Sequence, residues 1–171
     1  PDRENSPQLL AEIRERTHLA RGTAQFQLRN FAAARSDFDI AKQIAPRDPQ
    51  VLNSLALVAL AENKPDEAVS SFESALNVDA TNYDALNGLI TLNARNKEID
   101  KANARVDQAL NAYPNVAWLH FLKAQVYGYQ QNSAGLEQEL NKAIQLDPNY
   151  LPAYSALATL YIRSKQEDRA I

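Results

Sequence analysis

The stretch "AIQLDPNY", residues 143–150, closes an apolar helical pattern with Asp-Pro-Asn and opens another at once. Related stops stand at "AKQIAPRDP" (41–49), "ALNVDATNY" (75–83) and "ALNAYPNV" (109–116). Aligned, they keep one spacing: Ala41, Ala75, Ala109 and Ala143 recur every 34 residues, as do Pro46, Ala80, Pro114 and Pro148, with Ala80 the one non-proline. A fixed period of this length is the mark of a structural unit that stacks on copies of itself. The Asp-Pro turn therefore reads as punctuation between units, not as a site of chemistry.

Composition agrees. A chain of 171 residues with 45% hydrophobic content can bury a core and is too apolar to stay unfolded. It holds only four glycines and is rich in alanine, leucine, asparagine and glutamine, which favours helices joined by tight turns. The 18 basic and 21 acidic residues are interspersed, for a net charge of −3, and leave no footprint for nucleic acid or an anionic membrane. No cysteine is present, so disulfides, thiolate metal sites and thiol nucleophiles drop out together. Cytoplasm and bacterial periplasm are both compatible with that composition. The longest apolar runs, such as "SLALVALA" (54–61), fall far short of the ~20 residues of a membrane span. No signal peptide opens the chain, and its start at Pro1 rather than Met leaves room for an upstream segment.

Counted from Glu15, the period gives units at 15–48, 49–82, 83–116 and 117–150 and a partial fifth at 151–171. Position 8 of the frame reads Gly22, Ala56, Ile90, Ala124, Ala158, and position 20 reads Ala34, Ala68, Ala102, Leu136, Ala170. Position 24 reads Phe38, Phe72, Val106, Leu140, and position 27 is alanine in all four complete units. This pattern resembles the tetratricopeptide repeat (TPR). The resemblance implies an all-α, right-handed superhelical solenoid of antiparallel helix pairs, with about four and a half repeats in a single domain over residues 1–171. Residues 1–14 would extend the first helix, and the chain would be an excerpt of a longer array, because the fifth repeat stops at Ile171 soon after its second helix begins.

Helical spacing within each unit supports the same reading, as in Ala68, Val69, Phe72, Ala75 and Leu76 of "DEAVSSFESAL". The pattern predicts helices over 7–28, 31–45, 49–61, 65–79, 83–95, 98–112, 116–130, 133–146 and 150–163. Ser6 and Pro7 serve as cap and first residue of the first helix, Pro65 opens the fourth, and Asn and Ser at the breaks between paired helices are expected to cap. Positions 8 and 20 are small wherever two helices must approach. The exceptions compensate: Ile90 meets Ala102, and Leu136 meets Ala124.

Motifs of catalysis are missing. There is no His-Glu-x-x-His, no glycine-rich phosphate loop and no nucleophile elbow, so no catalytic residue, metal site or cofactor is assigned. His18 and His120 share position 4 of their units, each followed three residues later by a cation, Arg21 or Lys123. They read as helices turned slightly so that basic side chains snorkel, while Leu19 and Phe26, or Leu119, Leu122 and Val126, carry the apolar stripe. The acidic pairs Asp37 and Asp39, and Glu137 and Glu139, sit at i, i+2 and read as solvated charge.

In the family that the chain resembles, positions 2, 5, 9, 12 and 13 of each first helix line a concave groove. Carried over, the groove begins with Arg16, Leu19, Thr23, Phe26 and Gln27 in the first unit and includes Asn53 and Leu57 in the second and Asn87 and Arg95 in the third. The fourth adds Trp118, Phe121, Gln125, Gly128 and Tyr129, and the fifth ends with Arg163. Asn53 and Asn87 are expected to pair with an extended peptide backbone, and Trp118, Phe121 and Tyr129 to form an anchor pocket. Leu19, Thr23 and Asp84 stand where the cationic clamp of chaperone-tail binders would need Lys or Arg, which disfavours that ligand. The resemblance thus implies a non-catalytic scaffold that binds a protein or peptide in its groove, as part of a bacterial assembly or trafficking system. Neither nucleic acid nor membrane insertion is expected, and self-association through the cut fifth repeat is. The alternatives are a regulatory array attached to an enzyme elsewhere and a groove for glycans or small molecules.

Overall fold

The computed structural model describes residues 6–164. Within them lie nine helices and no strand: α1 (Pro7–Gln27), α2 (Phe31–Ile44), α3 (Pro49–Ala61), α4 (Pro65–Val78), α5 (Tyr83–Arg95), α6 (Ile99–Ala112), α7 (Ala117–Tyr129), α8 (Ser133–Leu146) and α9 (Leu151–Arg163). Every end that departs from the expected bounds does so by a cap: Leu28, Ala45, Asp79, Glu98, Val116, Gln130 and Tyr150 flank their helices rather than belong to them. Position 20 of the fifth unit, Ala170, and the start of that unit's second helix lie outside the described residues.

The turn within each pair is a Schellman motif, repeated four times. Arg29, Asn63, Lys97 and Gln131, again 34 residues apart, hold φ between 58° and 62°. At the first turn the Arg29 N–H donates to the Phe26 carbonyl and the Asn30 N–H to the Gln25 carbonyl, at 2.9 and 2.8 Å; the other three turns repeat the pattern. Left-handed backbone ordinarily calls for glycine, and here none of the four positions has one. The expected side-chain caps are correspondingly sparse. Asn30 makes no cap bond and Asn63 occupies the left-handed position itself, while Asn132 does cap, accepting from the Gly135 N–H at 3.0 Å.

Aspartates punctuate three of the four turns between repeats. Asp48 accepts from the Gln50 and Val51 N–H groups and so caps α3, as Ser6 caps α1 by accepting from the Leu9 N–H. Asp79 and Asp147 each turn back onto the amide two residues on, of Thr81 and Asn149. The opening stretch "AIQLDPNY" is such a turn. Asp147 closes α8 through its own N–H to Ala143, and its carbonyl accepts from the Tyr150 N–H at 3.1 Å.

By contacts the chain parts into two compact units between Ala85 and Leu86. In the first, Leu19, Ala34, Phe38, Ala41, Val51, Leu55 and Val58 form one core from α1, α2 and α3, with Phe26 packed against it. In the second, Ala124, Leu140, Ala143, Ala153, Leu157 and Tyr161 form another from α7, α8 and α9. Phe38 and Phe72, both at position 24, are 2% and 1% exposed, a burial worth about 2–3 kcal/mol each. The close approaches follow the repeat but not always the expected partner. A Cβ on Gly22 would lie 2.5 Å from the Phe38 ring, so position 8 is small for the sake of position 24. A Cβ on Gly128 would lie 3.1 Å from Leu136 Cδ1, so the room for that large residue comes from Gly128 as well as from Ala124.

Candidate functional site

Trp118, Phe121, Gln125 and Tyr129 follow one another on α7 by three, four and four positions, and so form one stripe of that helix. Tyr129 is 52% exposed; Trp118 and Gln125 are half-buried. Phe121 is half-buried too, with its ring edge-on to Tyr150 at 5.5 Å. On α5, Asn87 is half-buried and Arg95 exposed. A surface depression lined by Gly128, Gln131, Leu136, Leu160 and Arg163 adjoins the far end of the α7 stripe.

In the first unit Leu57 is exposed, but Asn53 is only 7% exposed. Its Nδ2 donates to Asn82 Oδ1 at 2.8 Å, and that same oxygen accepts from the Ala85 N–H at 2.9 Å. Asn53 is thus placed to brace the residue that starts α5, where the sequence had suggested a free amide. Asn53 with Asn82, and Phe121 with Tyr150, are both 29 residues apart and occupy equivalent places in their repeats. Position 5 ties a first helix to the residue leading into the next repeat. Leu19, at the same position, is buried in the core, not set in a groove. The complementary pairing at a 29-residue offset was available in the sequence.

A second set of polar groups is placed against expectation. His18 Nδ1 donates to Asp37 Oδ1 at 2.9 Å, and Arg21 Nε to Asp37 Oδ2 at 2.8 Å. Asp37 is 4% exposed, the opposite of solvated charge. His120 Nδ1 donates to Glu139 Oε2 at 2.7 Å, and its Nε2 faces the Pro114 carbonyl at 2.9 Å. Both histidines reach a carboxylate 19 residues on, so each clasps its own helix pair instead of snorkelling. Lys123 is buried at the α6–α7 contact, where its Nζ donates to Asn103 Oδ1 at 2.7 Å and to Asp107. Of the other acidic pair, Glu137 accepts from the Tyr161 hydroxyl at 2.9 Å.

These contacts set the electrostatics. Hydrogen bonds from Arg21, and behind them His18, hold the Asp37 carboxyl below the usual carboxylate range against the opposing effect of burial. Arg35 and then Lys64 do the same for Glu62. Glu15 goes the other way, pushed up by burial first and by the charge of Asp48 second. Among the described residues no group of three or more His, Cys, Asp or Glu could hold a metal ion, and no helix is long and apolar enough to cross a membrane.

Two family models, each described as tetratricopeptide repeat, match residues 59–126 and 139–171, together more than half of the chain. No curated protein matches significantly in sequence. Among solved structures, pilF of Pseudomonas aeruginosa is similar over 94% of this chain and 73% of its own, with a TM-score of 0.71 at 20% identity. TTC0263, a thermophilic TPR protein of Thermus thermophilus, is similar over 91% of this chain and 86% of its own, with a TM-score of 0.70 at 23% identity. MamA of Desulfovibrio magneticus RS-1 is similar over 92% and 89%, with a TM-score of 0.61 at 15% identity. At such identities the likeness is one of fold. The family models, the paired helices and the 34-residue register agree, and the chain is a tetratricopeptide-repeat protein, an all-α solenoid of the kind that serves as a protein–protein interaction scaffold.

Proposed function

We propose that the chain is a non-catalytic scaffold that binds a peptide segment or protein surface on the face of α7 that carries Trp118, Gln125 and Tyr129, within a bacterial assembly or trafficking system. The observation that carries the reading is Tyr129, a large aromatic 52% exposed at the end of a stripe that also holds a tryptophan. Partly exposed Trp and Tyr on a rigid helix supply contact area at little entropic cost and dominate binding energies where they occur. Gln125 between them can both donate and accept toward a partner's backbone. Phe121 supports the stripe from beneath through Tyr150. The bacterial setting is favoured by the fold shared with pilF and MamA, both bacterial proteins.

The test is to capture a partner with this chain, identify it, and titrate it against variants. Trp118→Ala is expected to weaken binding by about 2 kcal/mol or more, and Tyr129→Ala by about 1 kcal/mol or more, with helical content unchanged. Undiminished binding by Trp118→Ala, or release of the partner at moderate salt, would place the interaction elsewhere.

A further inference from the structure

Helix α1 presents a second surface, on the side away from its own core. Leu10, Ile13, Thr17, Ala20, Ala24 and Leu28 fall within about 80° of arc at 100° per residue, a stripe of about 27 Å. Leu10 is 48% exposed, Ile13 51% and Leu28 70%, and Thr17, Ala20 and Ala24 are exposed as well. Two large aliphatic side chains on the helix, with a third at its C-cap Leu28, make a patch that recruits a partner.

The repeat shows what shape of partner fits. Thr17, Ala20, Arg21 and Ala24 correspond, 102 residues on, to Leu119, Leu122, Lys123 and Val126 of α7. There the three apolar residues are fully buried, and α6 lies against the face, with Lys123 donating to its Asn103 and Asp107. On α3 the positions of Thr17, Arg21 and Ala24 hold Val51, Leu55 and Val58, which are buried against Ala34, Phe38 and Ala41 of α2. This face of a first helix is thus twice the seat of a neighbouring helix, and on α1 it is open among the described residues.

Charge says which helix. Arg14 and Arg21 border the stripe on one side and Arg16 on the other, all exposed, while the helix's own carboxylates, Glu12 and Glu15, lie on other faces. Arg21 already shares Asp37, and Arg16 follows Glu12 by one turn and acts on Glu15, which leaves Arg14 foremost to meet a partner. A second α1 would set arginine against arginine. We propose that the outward face of α1 docks an amphipathic helix from another protein, with an aliphatic stripe flanked by carboxylates, seated as α6 sits on α7.

Two designed peptides of equal length test this: leucine at a and d of each heptad, with glutamate at e and g in one and lysine in the other, so that like charges keep each monomeric. Binding to the fluorescently labelled peptides is followed by anisotropy at low salt. The glutamate peptide is expected to bind at least about tenfold more tightly than the lysine peptide. Ile13→Asp should weaken it about tenfold, Arg14→Glu with Arg16→Glu should reverse the preference, and Trp118→Ala should change nothing. Circular dichroism and the urea midpoint verify folding, and Ala24→Glu gives a second block should Ile13→Asp disturb α1. Absence of binding, equal binding of both peptides, or indifference to Ile13→Asp and Ala24→Glu overturns the proposal. So does a dimer of the chain, seen by sedimentation, that Ile13→Asp dissolves, because the seat would then belong to a second copy.

Discussion

Replacing Gly22 by alanine should destabilise the protein, although the same change in an exposed helix stabilises it. In a free helix alanine gains about 1 kcal/mol over glycine. At position 22 the new methyl would stand 2.5 Å from Phe38 Cε1 and 2.7 Å from Cδ1, closer than carbon atoms approach. Phe38 is 2% exposed and wedged among Ala34, Ala41, Val51 and Leu55, so its ring has nowhere to turn. Overpacking of that kind costs about 1–3 kcal/mol, which offsets the propensity gain and leaves a net loss of up to about 2 kcal/mol. With a urea slope of about 2 kcal/mol per molar, the midpoint falls by up to roughly 1 M. Phe38→Leu removes the obstructing ring edge, so Gly22→Ala in that background should be neutral or stabilising, with a coupling of about 1–3 kcal/mol in the double-mutant cycle. Gly128→Ala is the internal control. Its methyl would meet only the terminal Cδ1 of Leu136 at 3.1 Å, which a small rotation relieves, and its net effect should lie near zero. A higher midpoint for Gly22→Ala than for the parent, or no coupling to Phe38, would refute the reasoning that position 8 is small because of position 24.

Three further outcomes are expected. Arg29→Gly, Lys97→Gly and Gln131→Gly should each stabilise by about 0.5–1 kcal/mol by relieving left-handed backbone, while Asn63→Gly should gain only a few tenths, and thermal or urea unfolding of the four variants would expose any other order. Asp37→Asn should destabilise at neutral pH. Because the native Asp37 carboxyl lies below its unfolded value of about 3.9, its contribution is fully present above that pH and fades as pH falls through the native value, so midpoints of variant and parent should converge in acid; a pH-independent gap would contradict the ion pair. Ala75→Leu, at a fully buried site, should cost about 1–3 kcal/mol and Ala61→Leu, at an exposed one, almost nothing; equal urea midpoints for the two would mean that the repeat register assigns the faces wrongly.

Much of this molecule was determined by the sequence alone, because its signals are local and repeated. Helix type follows from apolar spacing, helix ends from Ser6, Pro7 and Pro65, and the pairing of helices from small residues that recur every 34 positions. Each of these needs only a few neighbouring residues, and repetition averages away the exceptions. Tertiary structure decided where polar side chains spend their hydrogen bonds. Asn53 looked like a free amide until Asn82 was seen beside it, and Asp37 looked solvated until α1 brought His18 and Arg21 against it. A side chain of that kind has several partners within reach of its rotamers, and the choice among them depends on residues 19 or 29 positions away that only the packed hairpins bring close. Exposure is decided in the same way: the stripe on α1 and the face of α7 occupy the same repeat positions, yet one is open and the other covered by α6, since burial belongs to what a neighbour does and not to the helix that carries the residues.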